Sequence, residues 1–230
     1  MKKTDEEFYN EHLLYHMRMS GRHELGNCLR PIKNGANIEL TSLGRTTLLL
    51  ATEKEDKDVV KELLKLGANI EAQDRKGKTA LALACKTGNI DLVNILLAAN
   101  ANINTQDERG NTPLIQSMCN TAWRVASHLI QNGADINVKN NEGVTALMAA
   151  ALHGKKDVIK DLISKGANID GTDVNGTGAL SSTPFISTET QNFIRQEHKK
   201  YIAATFREAA NKGTTKRRKI IRPKLAKGLS

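Results

Sequence analysis

Residues 65–70 read KLGANI, and the phrase returns along the chain: 32–38 is IKNGANI, 98–103 AANANI, 131–136 QNGADI and 164–169 SKGANI. A second phrase runs in step with it. GRTTLLLA begins at Gly44, GKTALALA at Gly77, GNTPLIQS at Gly110 and GVTALMAA at Gly143, which spaces Thr46, Thr79, Thr112 and Thr145 at 33 residues. A fixed period of that length marks stacked units, none of which can bury its apolar face alone.

Each recurring position has a physical reading. The threonine hydroxyl can cap the first N–H groups of a helix, and Pro113 after Thr112 suits a first helical turn. Leu48, Leu81, Leu114 and Leu147 then open a short helix whose small residues, such as Ala82, Ala84 and Ala149, allow close approach. A second helix carries apolar residues at helical spacing: Val59, Val60, Leu63 and Leu64; Leu92, Val93, Leu96 and Leu97; Val158, Ile159, Leu162 and Ile163. Gly67, Gly133 and Gly166 close these helices, and Asn100 stands at the equivalent place in the second copy as the next most tolerant residue for a left-handed cap.

On these motifs the chain resembles the ankyrin repeat family, whose pattern runs D-x-x-G-x-T-P-L-H-x-A, then G-x-x-x-h-V, x-x-L-L and G-A-(D/N)-(I/V)-N. DRKGKTALALACKTGNIDLVNILLAANANINTQ matches at most of the marked positions, and the resemblance extends from about Gly21 to Gly178. It implies an all-α solenoid of helix–turn–helix units joined by hairpin-like loops. Four repeats are expected at 41–73, 74–106, 107–139 and 140–172. A degenerate capping repeat at 1–40 precedes them, its second helix interrupted by Pro31. A degenerate cap at 173–212 follows, with an amphipathic helix near 188–212 whose apolar side is Phe193, Tyr201, Ile202 and Phe206. Residues 213–230 form a basic tail.

The departures are specific. The histidine of the family pattern is replaced by Leu49, Ala82, Ile115 and Met148, and Glu55 and Thr121 stand where the glycine between the two helices is expected, at a strain cost on the order of 1 kcal/mol each. After Asp173 the capping threonine is lost.

Composition narrows the function classes. Aromatic residues make up 3% of the 230, so Ala, Leu, Ile and Val must pack the core. No run of about 18 apolar residues occurs, so no membrane span is expected. The opening MKKTDEEFYNEHLL has no apolar h-region and does not read as a secretory signal. Cys28, Cys85 and Cys119 are dispersed and odd in number, which fits reduced thiols in a cytoplasmic setting and neither disulfides nor zinc. Charge is uneven: Arg195–Ser230 holds twelve Lys/Arg against two acids, while the rest of the chain is nearly neutral. The tail cations Lys216, Arg217, Arg218, Lys219, Arg222, Lys224 and Lys227 suit a phosphate backbone, nuclear import in a eukaryotic setting or an acidic protein, or serve solubility alone.

Catalytic groupings are scarce. His12 and His16 have helical spacing but no third ligand nearby, so no metal is expected. His128 occupies a position held by Glu62, Ile95 and Asp161 in other copies and reads as a tolerant surface site. Cys85 and Cys119 have no histidine at a fixed offset, and no phosphate-binding glycine loop follows a strand. No enzymatic activity and no cofactor are expected.

The resemblance instead implies binding of a partner protein through hairpin tips and first-helix edges. Carried over copy by copy, the tips are Ser42, Leu43 and Arg45; Arg75, Lys76 and Lys78; Glu108, Arg109 and Asn111; and Asn141, Glu142 and Val144. The helix edge adds Glu53, Lys54, Lys86, Thr87, Cys119, Asn120, Leu152 and His153. The second tip either steers an acidic partner surface or is a solvated turn. Trp123 is either a binding anchor or a cap against the neighbouring repeat. The expected molecule is a monomeric adaptor, effector or inhibitor; a nucleic-acid-associated protein tethered by its tail is the alternative.

Overall fold

The computed structural model describes residues 4–19, 25–119, 122–181 and 186–211. Among them eleven α-helices and one turn of 3-10 helix occur, with no strand. The sequence places four helix pairs at the 33-residue period: α3 (Thr47–Glu53) and α4 (Lys57–Lys65), α5 (Ala80–Thr87) and α6 (Ile90–Ala98), α7 (Pro113–Cys119) and α8 (Trp123–Gln131), α9 (Ala146–Leu152) and α10 (Lys156–Ser164). Each first helix packs on the next first helix and each second helix on the next second helix, giving the all-α solenoid that the resemblance implies.

The threonines act as read. Thr46, Thr79 and Thr145 have extended backbone and accept from Leu49, Ala82 and Met148 N–H at 3.3–3.4 Å, and Thr112 accepts from Ile115 N–H at 3.3 Å. Such a cap is worth about 1 kcal/mol. Leu48, Leu81, Leu114 and Leu147 are all buried, each contributing about 1.5–3 kcal/mol through transfer from water. The residues in place of the family histidine, Leu49, Ala82, Ile115 and Met148, are buried as well. Asp56 and Asn89 cap α4 and α6 through Val59 and Leu92 N–H.

The phrase KLGANI is a helix end and a turn together. Gly67 takes φ +87°, and Ala68 N–H reaches back to Leu63 O at 3.0 Å. Asn100, at the same place one repeat later, takes φ +65°, and Glu55 takes φ +59° at the interhelix turn. Thr121 lies outside the described residues.

Asn69 Oδ1 then accepts from Glu71 N–H, and Glu71 Oε1 accepts from Asn102 N–H at 2.7 Å in the following repeat. Asn102 in turn accepts from Asn104, Asn104 from Asp135, Asp135 from Asn137, and Asn137 from Asn168. A continuous staircase of side-chain-to-backbone bonds therefore runs down the turn side of the solenoid. Polar residues recur there because each satisfies a backbone donor.

Helices of different length pack against both ends of the four helix pairs. At the first, α1 (Asp5–Met19) packs on the 3-10 turn Leu25–Cys28 and on α2 (Leu29–Lys33), burying Leu13, Met17, Cys28 and Ile32. The switch from 3-10 to α geometry falls just before Pro31, which sits in the first turn of α2, where no intrahelical donor is lost. At the other end α11 (Thr188–Asn211) lies on α10. Its buried residues are Thr190, Gln191 and Ile194; Phe193, Tyr201 and Ile202 are partly buried, and Phe206 faces outward, half exposed. The expected apolar side therefore holds except at Phe206. Nine residues of α10 span about 14 Å and the 24 of α11 about 36 Å, so α11 outruns its support.

Candidate functional site

Four consecutive tips share one backbone design. In the second, Asp74 Oδ1 accepts from Lys76 N–H at 2.8 Å and Lys78 N–H at 2.9 Å. Asp107 holds Arg109 and Asn111 in the same way, Asn140 holds Glu142 and Val144, and Asp173 holds Asn175 and Thr177. The tips are also bonded to one another: Glu108 N–H donates to Lys76 O at 3.1 Å, Asn141 N–H to Arg109 O at 2.9 Å, and Val174 N–H to Glu142 O at 2.9 Å. They approach so closely that a Cβ on Gly77, Gly110 or Gly143 would lie within 2.9 Å of the next tip. Backbone bonds therefore tie these tips into one frame, from which Arg75, Lys76, Glu108, Arg109, Asn141 and Glu142 project.

The first tip is built differently. Ser42 and Arg45 exchange backbone bonds at 2.9 and 3.1 Å around Leu43 (φ 55°) and Gly44 (φ 79°), a two-residue turn with both central residues left-handed. Leu43 is 80% exposed. The Arg75 side chain passes so near Gly44 that a Cβ there would meet its Cγ at 2.5 Å. Arg45 turns inward to pair with Glu53 at 2.7 Å.

Arg75, Lys76, Lys86, Glu108, Arg109, Asn141, Glu142, Leu152 and His153 are exposed. Lys78 is half-buried, its Nζ 3.5 Å from Gln116 Oε1, and burial holds its proton affinity below that of an ordinary lysine, with the Lys86 charge adding to the effect. Asn111 is tied into the frame, donating towards Asp107 Oδ2 and accepting from Asn140 Nδ2 at 2.9 Å. Asn141 Nδ2 donates to Glu108 O, and Val144 is partly buried against the core. The side chain of Cys119, the residue Asn120 and the tail cations Lys216 to Lys227 lie outside the described residues.

Trp123 stands apart from the tips, at the start of α8. It is partly buried, edge-on to His153 with ring centroids 5.2 Å apart, and Lys155 Nζ lies 5.3 Å from its ring centre. It thus packs across the junction with the following helix pair. His128 Nε2 donates to Asn94 Oδ1, 2.6 Å away, which links α8 to α6. Depressions include one of about 450 Å³ between the second and third tips and one of about 570 Å³ beside Trp123.

Among the described residues no three His, Cys, Asp or Glu side chains come together as a metal cluster. Cys28 and Cys85 are buried, and burial pushes the Cys85 thiol far up, away from the thiolate that nucleophilic chemistry needs. Among the described residues no helix is long and apolar enough to cross a membrane.

The staircase and the Asx-held tips escaped sequence reading, although the recurrent Asn and Asp were its signal. A family model described as ankyrin repeats (3 copies) matches residues 13–107 and 99–173. No curated protein matches the chain.

Proposed function

The chain belongs to the ankyrin repeat family, and from that premise we propose that it binds a partner protein, without catalysis, through the face formed by hairpin tips and first-helix edges. Ankyrin repeats are in general protein–protein interaction modules. What supports this face is the contrast between a frame locked by tip-to-tip backbone bonds and outward side chains that differ at every step: Leu43, Arg75 and Lys76, Glu108 and Arg109, Glu142. A surface fixed in shape and varied in chemistry loses little entropy on binding. The protein would act as an adaptor, an effector or an inhibitor that masks its partner inside the cell. Its end units, residues 1–40 and 173–212, would close the stack.

Capture of partners by the full chain tests the reading, compared with an Arg109→Glu/Glu142→Arg variant and a Lys61→Glu control on the exposed side of α4. A partner retained by the control and lost from the tip variant supports it. Equal retention by all three overturns it.

The charge concentrated after Arg195 favours a second reading, a nucleic-acid-associated protein held by residues 213–230 while the repeats recruit another protein. Recovery that vanishes with a 1–212 truncation or with nuclease, and falls steeply with salt, would make that the principal function.

A further inference from the structure

The first and second repeats differ at one pair of positions in a way that removes an ion pair. In the first repeat Arg45, at the tip, pairs with Glu53, at the end of α3, at 2.7 Å. Thirty-three residues on, Lys78 replaces the arginine and Lys86 replaces the glutamate. A place that holds a carboxylate between tip and helix end in one repeat holds a second cation in the next.

Asp107 and Asp74 offset part of that charge, but among the described residues neither forms an ion pair with Lys78. The carboxylates nearest Lys78 are engaged by the tip backbone: Asp74 Oδ1 takes Lys76 and Lys78 N–H, and Asp107 Oδ1 takes Arg109 and Asn111 N–H. Asp107 Oδ2 accepts from Gln116 Nε2 at 2.6 Å, which turns the Gln116 carbonyl towards Lys78. Lys78 therefore meets a neutral acceptor at long range. Among the described residues it makes no ion pair, and neither does Lys86. Lys78 is also half out of water, beside a depression of about 450 Å³ whose walls include Lys76, Lys78, Asp107, Glu108, Arg109 and Gln116. Partial burial strengthens any charge that enters, because screening by solvent is reduced.

We infer that Lys78 and Lys86, with Lys76 beside them, form a docking site for an acidic side chain of the partner protein, whose carboxylate takes in the second repeat the place that Glu53 takes in the first. The inference rests on the tip-face reading and adds the chemistry of the residue recognised. The low proton affinity of Lys78 agrees with it, since burial and the Lys86 charge both disfavour the ammonium that an incoming carboxylate would relieve.

The test uses Lys86→Glu, which supplies the missing carboxylate from within and copies the Arg45–Glu53 pair. A displayed random peptide library is selected on the full chain, and the selected peptides are titrated against wild type, Lys86→Glu and Arg109→Glu/Glu142→Arg. NMR of the lysine εCH2 and ζNH3+ groups follows Lys78 throughout. The expected result is selection of Asp- and Glu-containing peptides that shift the Lys78 resonance and bind Lys86→Glu about tenfold or more weakly, as suits a partly desolvated charge pair. Lys86→Glu itself should melt no lower than wild type, with Lys78 titrating closer to an ordinary lysine, which separates loss of binding from loss of fold. Peptides without acids, or acidic peptides that bind Lys86→Glu unchanged, overturn the inference; if they still fail on Arg109→Glu/Glu142→Arg, the tip-face reading survives alone. Acetate or inorganic phosphate that shifts Lys78 as far as the peptides do overturns the protein-partner assignment in favour of a generic anion site. A library that yields no tip-face binder overturns both readings.

Discussion

Asn10 Oδ1 accepts the backbone N–H of Asn37 at 2.7 Å. In every later step of the staircase that acceptor comes from the preceding turn: Glu39 serves Asn69, Glu71 serves Asn102, Asn104 serves Asp135 and Asn137 serves Asn168. Among the described residues before Asn37 no turn of this kind occurs, and α1 provides the acceptor. Helix α1 thus satisfies a donor of the first turn as well as covering Ile32 and Cys28. Asn10→Ala should cost about 0.5–1 kcal/mol by urea denaturation, the ordinary net value of a hydrogen bond that water can replace. Glu71→Ala should cost more, because Glu71 serves both Asn102 N–H and Thr105 Oγ1 with a charged acceptor. Faster hydrogen exchange at the Asn37 amide, without change in the α9–α10 pair, would place the effect at the first turn.

The helices were legible because capping, glycine punctuation and apolar spacing are local and repeat every 33 residues. The staircase was not, although the Asn of each G-A-N-I could be read directly. Its partner lies 30 or 31 residues away, and only the stacking of units brings the two together. Phe206 shows the opposite failure. Helical spacing places it with Tyr201 and Ile202, but spacing says nothing of how long the supporting helix is, and α10 stops too soon to cover it. The contrast between Arg45–Glu53 and Lys78–Lys86 was present in the aligned repeats; it acquired meaning once the first pair was seen in contact.

Gly178 explains why the capping threonine is lost after the fourth helix pair. Asp173 holds a tip of the usual design, and Thr172 and Gly178 form an antiparallel bridge. A Cβ at 178 would lie 2.5 Å from Gly171 O, a backbone atom that cannot swing aside. Gly178→Thr, which restores the repeat pattern on paper, should therefore lower stability by about 1–3 kcal/mol, whereas Thr79→Ala should cost about 1 kcal/mol for its cap alone. Thermal unfolding of the two variants side by side checks the order. Gly178→Thr more stable than wild type would show that the contact yields easily.

Thr47 Oγ1 is buried with no hydrogen-bond partner, where the later repeats have Ala80, Pro113 and Ala146. A buried hydroxyl left unpaired carries its desolvation cost without return. Thr47→Val keeps the volume and removes that oxygen, and should raise stability by about 1 kcal/mol in urea melts.

Inter-repeat ion pairs mark the second helices. Lys57 Nζ meets Asp91 Oδ2 at 2.7 Å, and Lys156 meets Glu189. The lysine contact holds each carboxyl below its ordinary range, and Asp91 holds Lys57 above the ordinary lysine value. A depressed carboxyl stabilises the fold above its unfolded pKa and loses that contribution as pH falls through the folded value; a raised lysine loses its contribution as pH climbs through the folded value. Coupling in a Lys57→Met/Asp91→Asn double-mutant cycle should therefore be present at pH 7, vanish in acid below the ordinary carboxyl range, and shrink with salt. Trp123 stands at the corresponding position of the third pair, near Asp157. Trp123→Lys would create a comparable exposed ion pair, of little worth in water, and remove partial burial of an indole worth about 2 kcal/mol, so it should destabilise.

Leu43 joins strain to exposure. Its φ of 55° is costly for a leucine, about 1 kcal/mol or more, and its side chain is 80% exposed, so packing within the chain does not repay the cost. The turn Ser42–Arg45 calls for Asn-Gly, and the chain supplies Leu-Gly. Leu43→Asn should raise stability by about 1 kcal/mol, read from the urea midpoint. If the tips are the binding face, the same change should weaken partner capture several-fold by removing the large exposed apolar side chain of the first tip. Arg45, paired with Glu53 beside it, would be unaffected. Stabilisation together with weaker binding would identify Leu43 as a contact maintained at the expense of the fold. Stabilisation with unchanged capture would exclude the first tip from the interface and leave binding to the tips from Arg75 onward.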